Sequence, residues 1–274
     1  MPTNPNPAAA LEFALQVEHY YAGLMLAADH GPDAEPSLGG KLLYAGQLDD
    51  KARALLVAAN IAGAASLAVS ADAAAGKQAI RDGVVDFLVS SLDEALRILK
   101  NEIRKHTTVA VCVALDNEAD FAHLLIERGV LPDLLHPRSA PAPEFAAFLS
   151  QGARPVVAIH PDENQVLLTW SVVEAPAQWM PKLDALALDC LSSDSSQAAA
   201  SPRRWLRLAP RYLGRRLQGV RLLRCDECTT NQFIERVREK VAGAEIGVPI
   251  YLTRSRDGRS ETFSIIPPIS KVAD

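Results

Sequence analysis

Short apolar runs alternate with amphipathic segments through the first half of the chain. The apolar runs predict β-strands at 42–46, 66–70, 84–89, 108–115 and 130–135. The segments between them have helical periodicity and predict helices at 49–64, 77–83, 91–105 and 117–128. The run TVAVCVAL is uniformly apolar, as expected for a parallel strand buried on both faces. This alternation predicts an α/β fold, a Rossmann-like parallel sheet with helices on both faces.

Signals at the ends of the helices support this interpretation. Ser91 precedes a helical segment and Glu94 follows three residues later, which is the pattern of a capping box. Gly129 follows the last of these helical segments and is a natural C-terminal stop. Before the sheet, residues 8–29 predict an amphipathic helix, and the proline- and glycine-rich segment 30–40 predicts a loop.

The second half of the chain has a different pattern. Residues 137–155 are rich in proline and alanine and predict a connection. It is followed by two predicted strands in 154–174 joined by a turn at His160–Asn164, helices near 178–190, 202–217 and 230–242, a strand at 220–223, and a hairpin that turns at Asp257-Gly258. We interpret this part as a smaller C-terminal α+β domain. The predicted domains are 1–39 (helix and loop), 40–150 (Rossmann-like domain with its connection) and 151–274, which is basic and contains a mobile loop at 192–201.

Composition narrows the class of protein. Of the 274 residues, 49% are hydrophobic and 22% are charged, which excludes wholesale disorder. No apolar run reaches the roughly 18–20 residues of a membrane span, and the first residues lack the layout of a signal peptide. Four cysteines in this length do not form a disulfide scaffold. We therefore expect a cytoplasmic protein that does not associate with membranes.

The net charge of −5 hides an asymmetry. Residues 1–200 contain 13 Lys and Arg against 25 Asp and Glu, whereas residues 201–274 contain 15 against 8. Eight arginines fall in one segment without an acidic residue among them: Arg203, Arg204, Arg207, Arg211, Arg215, Arg216, Arg221 and Arg224. With Trp205 and Tyr212 interleaved, they could contact phosphates and stack on bases, so nucleic acid or another polyanion is one hypothesis. A solvated face, or docking against the acidic first part, is the favoured interpretation, and a small anionic ligand is the third.

Two further groups of residues have both a functional and a structural interpretation. Cys225 and Cys228 lie at a predicted strand-to-helix turn, where a helix N-terminus can stabilise the thiolate of a redox dithiol. The two acidic residues between them oppose that effect, and zinc would need more ligands, so two ordinary cysteines are the favoured interpretation. His136 ends the last predicted parallel strand, where such folds bind ligands, although a lone histidine before proline is most often structural. The segment His160–Glu163 has turn composition and predicts a solvated loop.

A family resemblance rests on the run from Gly40 to Leu135. Within it, Arg128-Gly129-Val130 is followed by Pro132-Asp133, and SLDEALRILK opens a helix. These features resemble the dinucleotide-binding domain of urocanase (urocanate hydratase). The resemblance covers about a third of the 274 residues and does not extend to the family's other domain, which supplies its catalytic residues.

The resemblance implies a particular chemistry. In urocanase, NAD+ acts as an electrophile that adds to the imidazole of urocanate before water adds. Such a domain holds the pyrophosphate over a glycine-rich turn and the ribose with an acidic residue. Matched residue by residue, Gly46, Asp72 and Asn117 are the candidate cofactor-binding residues. No catalytic or metal-binding residue is carried over.

Other positions depart from the family pattern. The segment Gln47–Arg53 replaces the glycine turn, so side chains would block a phosphate there. Asp49 and Asp50 would repel it by roughly 1 kcal/mol or more each, which Lys51 and Arg53 offset only in part. Four further family positions are occupied by other residues: Ser70, Ala75, Asp116 and the segment Arg138–Ala142.

Two functional hypotheses follow from the resemblance and these departures. The first is a truncated urocanase-like protein that is not catalytic alone and acts as a binding or accessory module, assembling with another protein or with itself. A homodimer is compatible with the resemblance, because the family is dimeric. The second is an NAD-dependent lyase of the urocanate hydratase type, or a half-enzyme completed by a partner chain, in histidine degradation. The first hypothesis predicts no bound cofactor and the second predicts NAD.

Overall fold

The computed structural model of the chain describes residues 7–28, 36–115, 119–192, 199–214, 217–256 and 258–268. Contacts between residues divide the chain into two compact units. One unit is Glu12–Ile159, and the other is His160–Asp274 together with Met1–Leu11. The first unit contains a parallel sheet and the second contains an antiparallel sheet.

The parallel sheet has six strands: β1 (Leu42–Gln47), β2 (Ala65–Ser70), β3 (Phe87–Val89), β4 (Val109–Ala114), β5 (Leu134–Leu135) and β6 (Arg154–Pro155). The accompanying helices are α1 (Pro7–Met25), α2 (Asp50–Ala62), α3 (Ala73–Arg81), α4 (Leu92–Arg104), α5 (Ala119–Glu127) and α6 (Ala142–Ser150). The strand order is β3-β4-β2-β1-β5-β6, and every neighbouring pair is parallel. The predicted Rossmann-like sheet is confirmed, and its strand order reverses between β1 and β5.

Both faces of the parallel sheet are apolar, and helices cover both. On one face Tyr44, Leu67 and Val111 align in register and pack against α4, α5 and α6. The opposite face presents small buried side chains such as Ala68 and Cys112, so the alanine-rich helix α2 can approach the strands closely. Each fully buried side chain of valine or leucine size contributes about 1.5–3 kcal/mol to this packing.

Three helices of this unit begin at a residue whose side chain accepts a backbone N–H: α2 at Asp49, α3 at Asp72 and α4 at Ser91. The predicted capping box of α4 is confirmed in its first half, because the Ser91 hydroxyl accepts the N–H of Glu94. The Glu94 carboxylate reaches one residue further back and accepts the N–H and the hydroxyl of Ser90. These hydrogen bonds lower the pKa of Glu94 below its ordinary value.

Two predictions for the chain after β5 are wrong. Residues 137–155, predicted as a connection, contain the helix α6 and the short strand β6. Its prolines do not prevent the helix, because Pro141 is the N-cap and Pro143 lies in the first turn, where no N–H is needed. Residues 154–174 do not form one hairpin either, since β6 pairs with β5 and extends the parallel sheet.

The antiparallel sheet contains β7 (Val166–Ser171), β8 (Val220–Cys225), β9 (Ile250–Arg256) and β10 (Arg259–Ile265), in the order β10-β9-β7-β8. Its helices are α7 (Pro176–Ser192), α8 (Ala200–Leu213) and α9 (Glu227–Ala242). The predicted hairpin is confirmed as β9 and β10, and Gly258 has a φ of +72°. Asp257 of this turn lies outside the described residues, as do 193–198 of the predicted loop.

Aromatic side chains attach the helices of this unit to its sheet. The rings of Trp170 on β7 and Phe233 on α9 lie 4.9 Å apart between centroids. The indole N–H of Trp205 on α8 donates to the carbonyl oxygen of Leu222 on β8 over 2.6 Å. Helices packed on an antiparallel sheet confirm the predicted α+β class.

Candidate functional site

The reversal of strand order between β1 and β5 marks the carboxyl edge where α/β folds bind their ligands. Two short loops border this edge, one after β1 and one after β5. Helix α1 adds a tyrosine whose hydroxyl lies 3.3 Å from the Nε2 atom of His136. We call the resulting group the switch-point site, and it consists of Tyr20, Gly46, Asp49, His136, Arg138 and Ser139.

Gly46 brings the two loops into contact. Its φ is +78°, and the pairing of β1 with β2 shifts register between Tyr44 and Gly46. A Cβ atom at this position would lie 2.5 Å from the Cα of Ser139, so no other residue fits without movement. The hydroxyl of Ser139 is buried and has no hydrogen-bond partner within the described part of the chain. The loop after β5 therefore lies directly over Gly46.

Asp49 occupies the N-terminus of α2, where a nucleotide phosphate binds in related folds. Its Oδ1 accepts the N–H of Ala52 over 2.7 Å, and its Oδ2 lies 3.5 Å from a guanidinium nitrogen of Arg138. Asp50 adds a second negative charge in the first turn. The positive end of the helix is thus neutralised by the chain's own carboxylates.

Lys51 and Arg53, the two cations in the first turn of α2, have different surroundings. Arg53 forms an ion pair with Asp82, at the C-terminal end of α3. Lys51 is exposed and lies close enough to His136 to help lower the pKa of that ring. Of these two cations, Lys51 is the one whose charge acts on the switch-point site, in addition to that of Arg138.

His136 and Tyr20 form a buried polar pair. The His136 residue is 8% exposed, and the backbone N–H of Arg138 donates to its Nδ1 atom over 3.4 Å. A neutral ring therefore carries its proton on Nε2 and donates it to the Tyr20 hydroxyl oxygen. The two rings meet edge to face, with centroids 5.9 Å apart.

Burial controls the ionisation of this pair. It lowers the pKa of His136 below its ordinary value, and the Arg138 guanidinium acts in the same direction. Burial also raises the pKa of Tyr20, and the Asp49 carboxylate adds to that shift. Both side chains are consequently neutral at neutral pH, and they form a structural contact close enough to Asp49 and Arg138 to be affected by their charges.

The end of β2 supplies the next predicted cofactor-binding position. The buried Ser70 hydroxyl donates to the carbonyl oxygen of Asp72 over 3.0 Å and accepts its N–H over 3.2 Å. The exposed Asp72 carboxylate accepts the N–H of Ala74 over 2.7 Å and so caps α3. Asn117, the third candidate, lies outside the described residues. The carboxylate expected to hold a ribose is thus engaged in a helix cap.

Cys225 and Cys228 lie at the predicted strand-to-helix turn, and both are free thiols. Cys225 is buried at the end of β8, with its Sγ 3.2 Å from the Oγ1 of Thr230. Burial raises the pKa of the Cys225 thiol to about 12. Cys228 is exposed on the first turn of α9. A thiol as weakly acidic as Cys225 is not an activated nucleophile, which favours the interpretation of two ordinary cysteines.

Three arginines of the basic segment make contacts inside their own unit. Arg203 donates to the carbonyl oxygen of Leu191 near the end of α7. Arg221 pairs with Asp184 at 3.0 Å, and both side chains are largely buried. Arg224 donates to the side-chain oxygen of Gln165 over 3.2 Å. These contacts favour a structural role for this part of the segment.

The other members of the segment lie on or just after α8. Arg204, Arg207 and Arg211 belong to that helix, and Arg211 is exposed beside the ring of the tyrosine that follows it. Arg215 and Arg216 lie outside the described residues. The nucleic-acid hypothesis for this segment stays a prediction.

Three members of the switch-point site, Tyr20, Arg138 and Ser139, are not predicted from the sequence. The helix predicted at 8–29 contains two adjacent tyrosines, and both Tyr20 and Tyr21 are buried. A buried tyrosine needs a partner for its hydroxyl, and His136 at a strand end was the available polar group. Arg138 and Ser139 belong to the segment Arg138–Ala142, which departs from the family pattern, and their contacts with Asp49 and Gly46 join distant parts of the sequence.

Two further tests concern metals and membranes. Among the described residues, no three His, Cys, Asp or Glu side chains come together as a group that could hold a metal ion. None of the helices that the structure describes has both the length and the hydropathy needed to cross a bilayer.

Comparison with known families identifies the parallel-sheet region. A family model described as the urocanase Rossmann-like domain matches residues 21–152. The match contains all of the region Gly40–Leu135 and extends beyond it on both sides. It includes both loops of the switch-point site, and Tyr20 lies one residue before it. This segment of the chain is therefore a urocanase-like Rossmann domain.

Proposed function

We propose that the chain is a urocanase-related binding or accessory module that does not by itself catalyse NAD-dependent hydration of urocanate. The observation that carries the proposal is the contact between Gly46 and Ser139. It leaves no room for even one added carbon at Gly46, whereas a bound pyrophosphate needs open space over that turn.

Electrostatics support the same proposal. A phosphate at the N-terminus of α2 would compete with Asp49 for the N–H of Ala52 and would face Asp50 as well. Each carboxylate would repel it by roughly 1 kcal/mol or more at short range. Arg138 already faces Asp49, so its positive charge offsets only part of this repulsion.

An exposed apolar edge supports a role in assembly. The outermost strand β3 exposes Phe87 by 46%, and Ile80 on the adjacent α3 is 40% exposed. Exposed apolar side chains that lie together form a surface on which another protein chain can pack. We infer that the partner is a protein, either a second copy of this chain or another protein.

The cofactor part of the proposal can be tested on the purified full chain. Native mass spectrometry should find no NAD, and millimolar NAD should leave the melting temperature unchanged. The protein should also leave the absorbance of urocanate constant with NAD present. Bound NAD or consumption of urocanate would instead support the alternative, a urocanate hydratase-type lyase or half-enzyme.

The assembly part needs a separate measurement. Sedimentation velocity should show self-association of the chain or its binding to a partner that cross-linking has captured. Phe87→Gln should weaken the affinity of that association about tenfold or more. Leu131→Gln is the matched control, because Leu131 is equally exposed but lies away from β3. Equal effects of the two substitutions would contradict a role for the β3 edge.

A further inference from the structure

A groove lies beside the turn of the β9–β10 hairpin in the C-terminal unit. Its volume is about 640 Å³, within the range of about 300–1,000 Å³ usual for small-molecule sites. It is lined by Val166, Glu227, Arg254, Arg256, Arg259, Ser260 and Glu261. We call it the hairpin groove.

The strand pairing explains why three guanidinium groups line the hairpin groove. Arg254 and Arg256 are two residues apart on β9 and therefore point to the same face. Arg259 on β10 stands directly opposite Arg256 in the register of the hairpin. Like charges at opposed positions destabilise a sheet. Negative groups close to Arg256 and Arg259 would therefore stabilise the hairpin.

Two carboxylates supply part of that negative charge. Glu227, at the start of α9, lies 2.5 Å from Arg256 and 3.9 Å from Arg254. Glu261 lies 3.0 Å from Arg254. No carboxylate of the described residues pairs with Arg259, so the groove has three guanidinium groups for two carboxylates.

We propose that the hairpin groove binds a small phosphorylated molecule, with Arg259 as its anchoring cation. A guanidinium fork matches the oxygens of a phosphate. A single carboxylate ligand would only repeat the contacts of Glu227 and Glu261, whereas a multivalent phosphate engages several guanidinium groups together. The present ion pairs do not prevent this, because both glutamates are at least half exposed and exposed pairs contribute little.

This site differs from the switch-point site in location and in chemistry, and it does not depend on the function proposed above. All its residues belong to the C-terminal unit, outside the match to the urocanase Rossmann-like domain. It also differs from the basic segment 203–224, since none of those arginines lines the groove.

The proposal is tested by calorimetric titration of pyrophosphate into the full chain at low salt. The wild type should bind it, and Arg259→Gln should weaken binding about tenfold or more, because a charge-assisted contact is lost. Arg238→Gln is the control, since Arg238 is an exposed arginine on α9 that pairs with Glu235. Circular dichroism of each variant verifies that its fold is retained.

A second arm of the titration distinguishes the source of the phosphate. A single-stranded oligonucleotide should bind more weakly than pyrophosphate at the same salt concentration. If it binds more tightly and Arg259→Gln weakens it equally, the groove recognises a nucleic-acid backbone and the proposal is wrong. The proposal is also overturned if millimolar pyrophosphate gives no binding, or if Arg259→Gln and Arg238→Gln have equal affinities for it.

Discussion

The switch-point site and the hairpin groove contain similar charged residues but arrange them in opposite ways. At the switch-point site, Asp49 both caps a helix and pairs with Arg138, and the loop after β5 covers Gly46. In the hairpin groove, guanidinium groups outnumber their carboxylate partners and line open space. We therefore propose that the place where ligands usually bind in this fold is closed by the chain's own residues, whereas the charged groove of the other unit is open.

The geometry of the two sheets explains the difference. Neighbouring strands of a parallel sheet end at the same edge, so the loops after β1 and β5 converge and can fill the space between them. At the turn end of the β9–β10 hairpin the chain reverses directly, and long side chains on alternate residues line an open groove beside the start of α9.

The largest expected effect comes from Gly46→Ala, which tests whether the switch-point site is closed. The new Cβ would meet Ser139 and the backbone would be held at positive φ, so unfolding free energy should fall by about 2–4 kcal/mol. Urea denaturation measures this loss. Gly129→Ala is the control, because φ is also positive there but nothing lies within 4 Å of the added Cβ. Equal losses in the two variants would show that the loops do not touch.

A smaller effect is expected for Asp49→Ala. Loss of the cap should lower the unfolding free energy by about 1 kcal/mol, as should loss of the comparable cap in Asp72→Ala. Asp49→Ala also frees Arg138 and the N-terminus of α2, so added phosphate should stabilise this variant more than Asp72→Ala. Thermal melts with and without phosphate make the comparison. Equal stabilisation of both variants would contradict the idea that Asp49 replaces a bound anion.

The pH dependence of stability tests the buried pair of His136 and Tyr20. Burial lowers the folded-state pKa of His136, so protonation favours the unfolded chain. The stabilisation is present above the unfolded-state pKa of about 6.5 and is lost as the pH falls from there through the folded-state pKa. The melting temperature of the wild type should therefore fall more steeply between neutral pH and pH 5 than that of His136→Asn. If the melting temperatures of the wild type and of His136→Asn fell equally steeply with pH, His136 would not be held neutral by burial.

The smallest effect on stability is expected at Cys228. This thiol is exposed, whereas the other three are buried. A disulfide-exchange reagent should therefore modify Cys228 quickly in the native protein and Cys225 only after unfolding. Cys228→Ser should remove the fast reaction and change unfolding free energy by less than about 0.5 kcal/mol. Fast modification in that variant would place a second reactive thiol at the surface.

Local sequence patterns predicted the fold better than the site. Uniformly apolar strands such as TVAVCVAL and helix caps such as Ser91 are encoded within a few residues, and both were predicted from the sequence. The two-residue strand β6 has no periodicity that could reveal it. The proline content of α6 suggested a connection, although its prolines lie where a helix accepts them.

The candidate site depends on contacts between distant residues. Gly46 was singled out from the sequence, and its contact with Ser139 joins two strand ends that are far apart in the chain. Tyr20 reaches His136 across 116 positions. The three arginines of the hairpin groove are ordinary strand and turn residues in the sequence. Only the register of β9 and β10 brings them to one face.

We propose that the chain's own groups occupy the position in the urocanase-like domain where a nucleotide would bind. Amide hydrogen exchange of the full chain, with and without millimolar NAD, tests it most directly. The N–H of Ala52, which donates to Asp49, should be protected without NAD, and residues 46–53 should show no change when NAD is added. New protection in residues 46–53 on addition of NAD would show that the cofactor binds there and that this position is open.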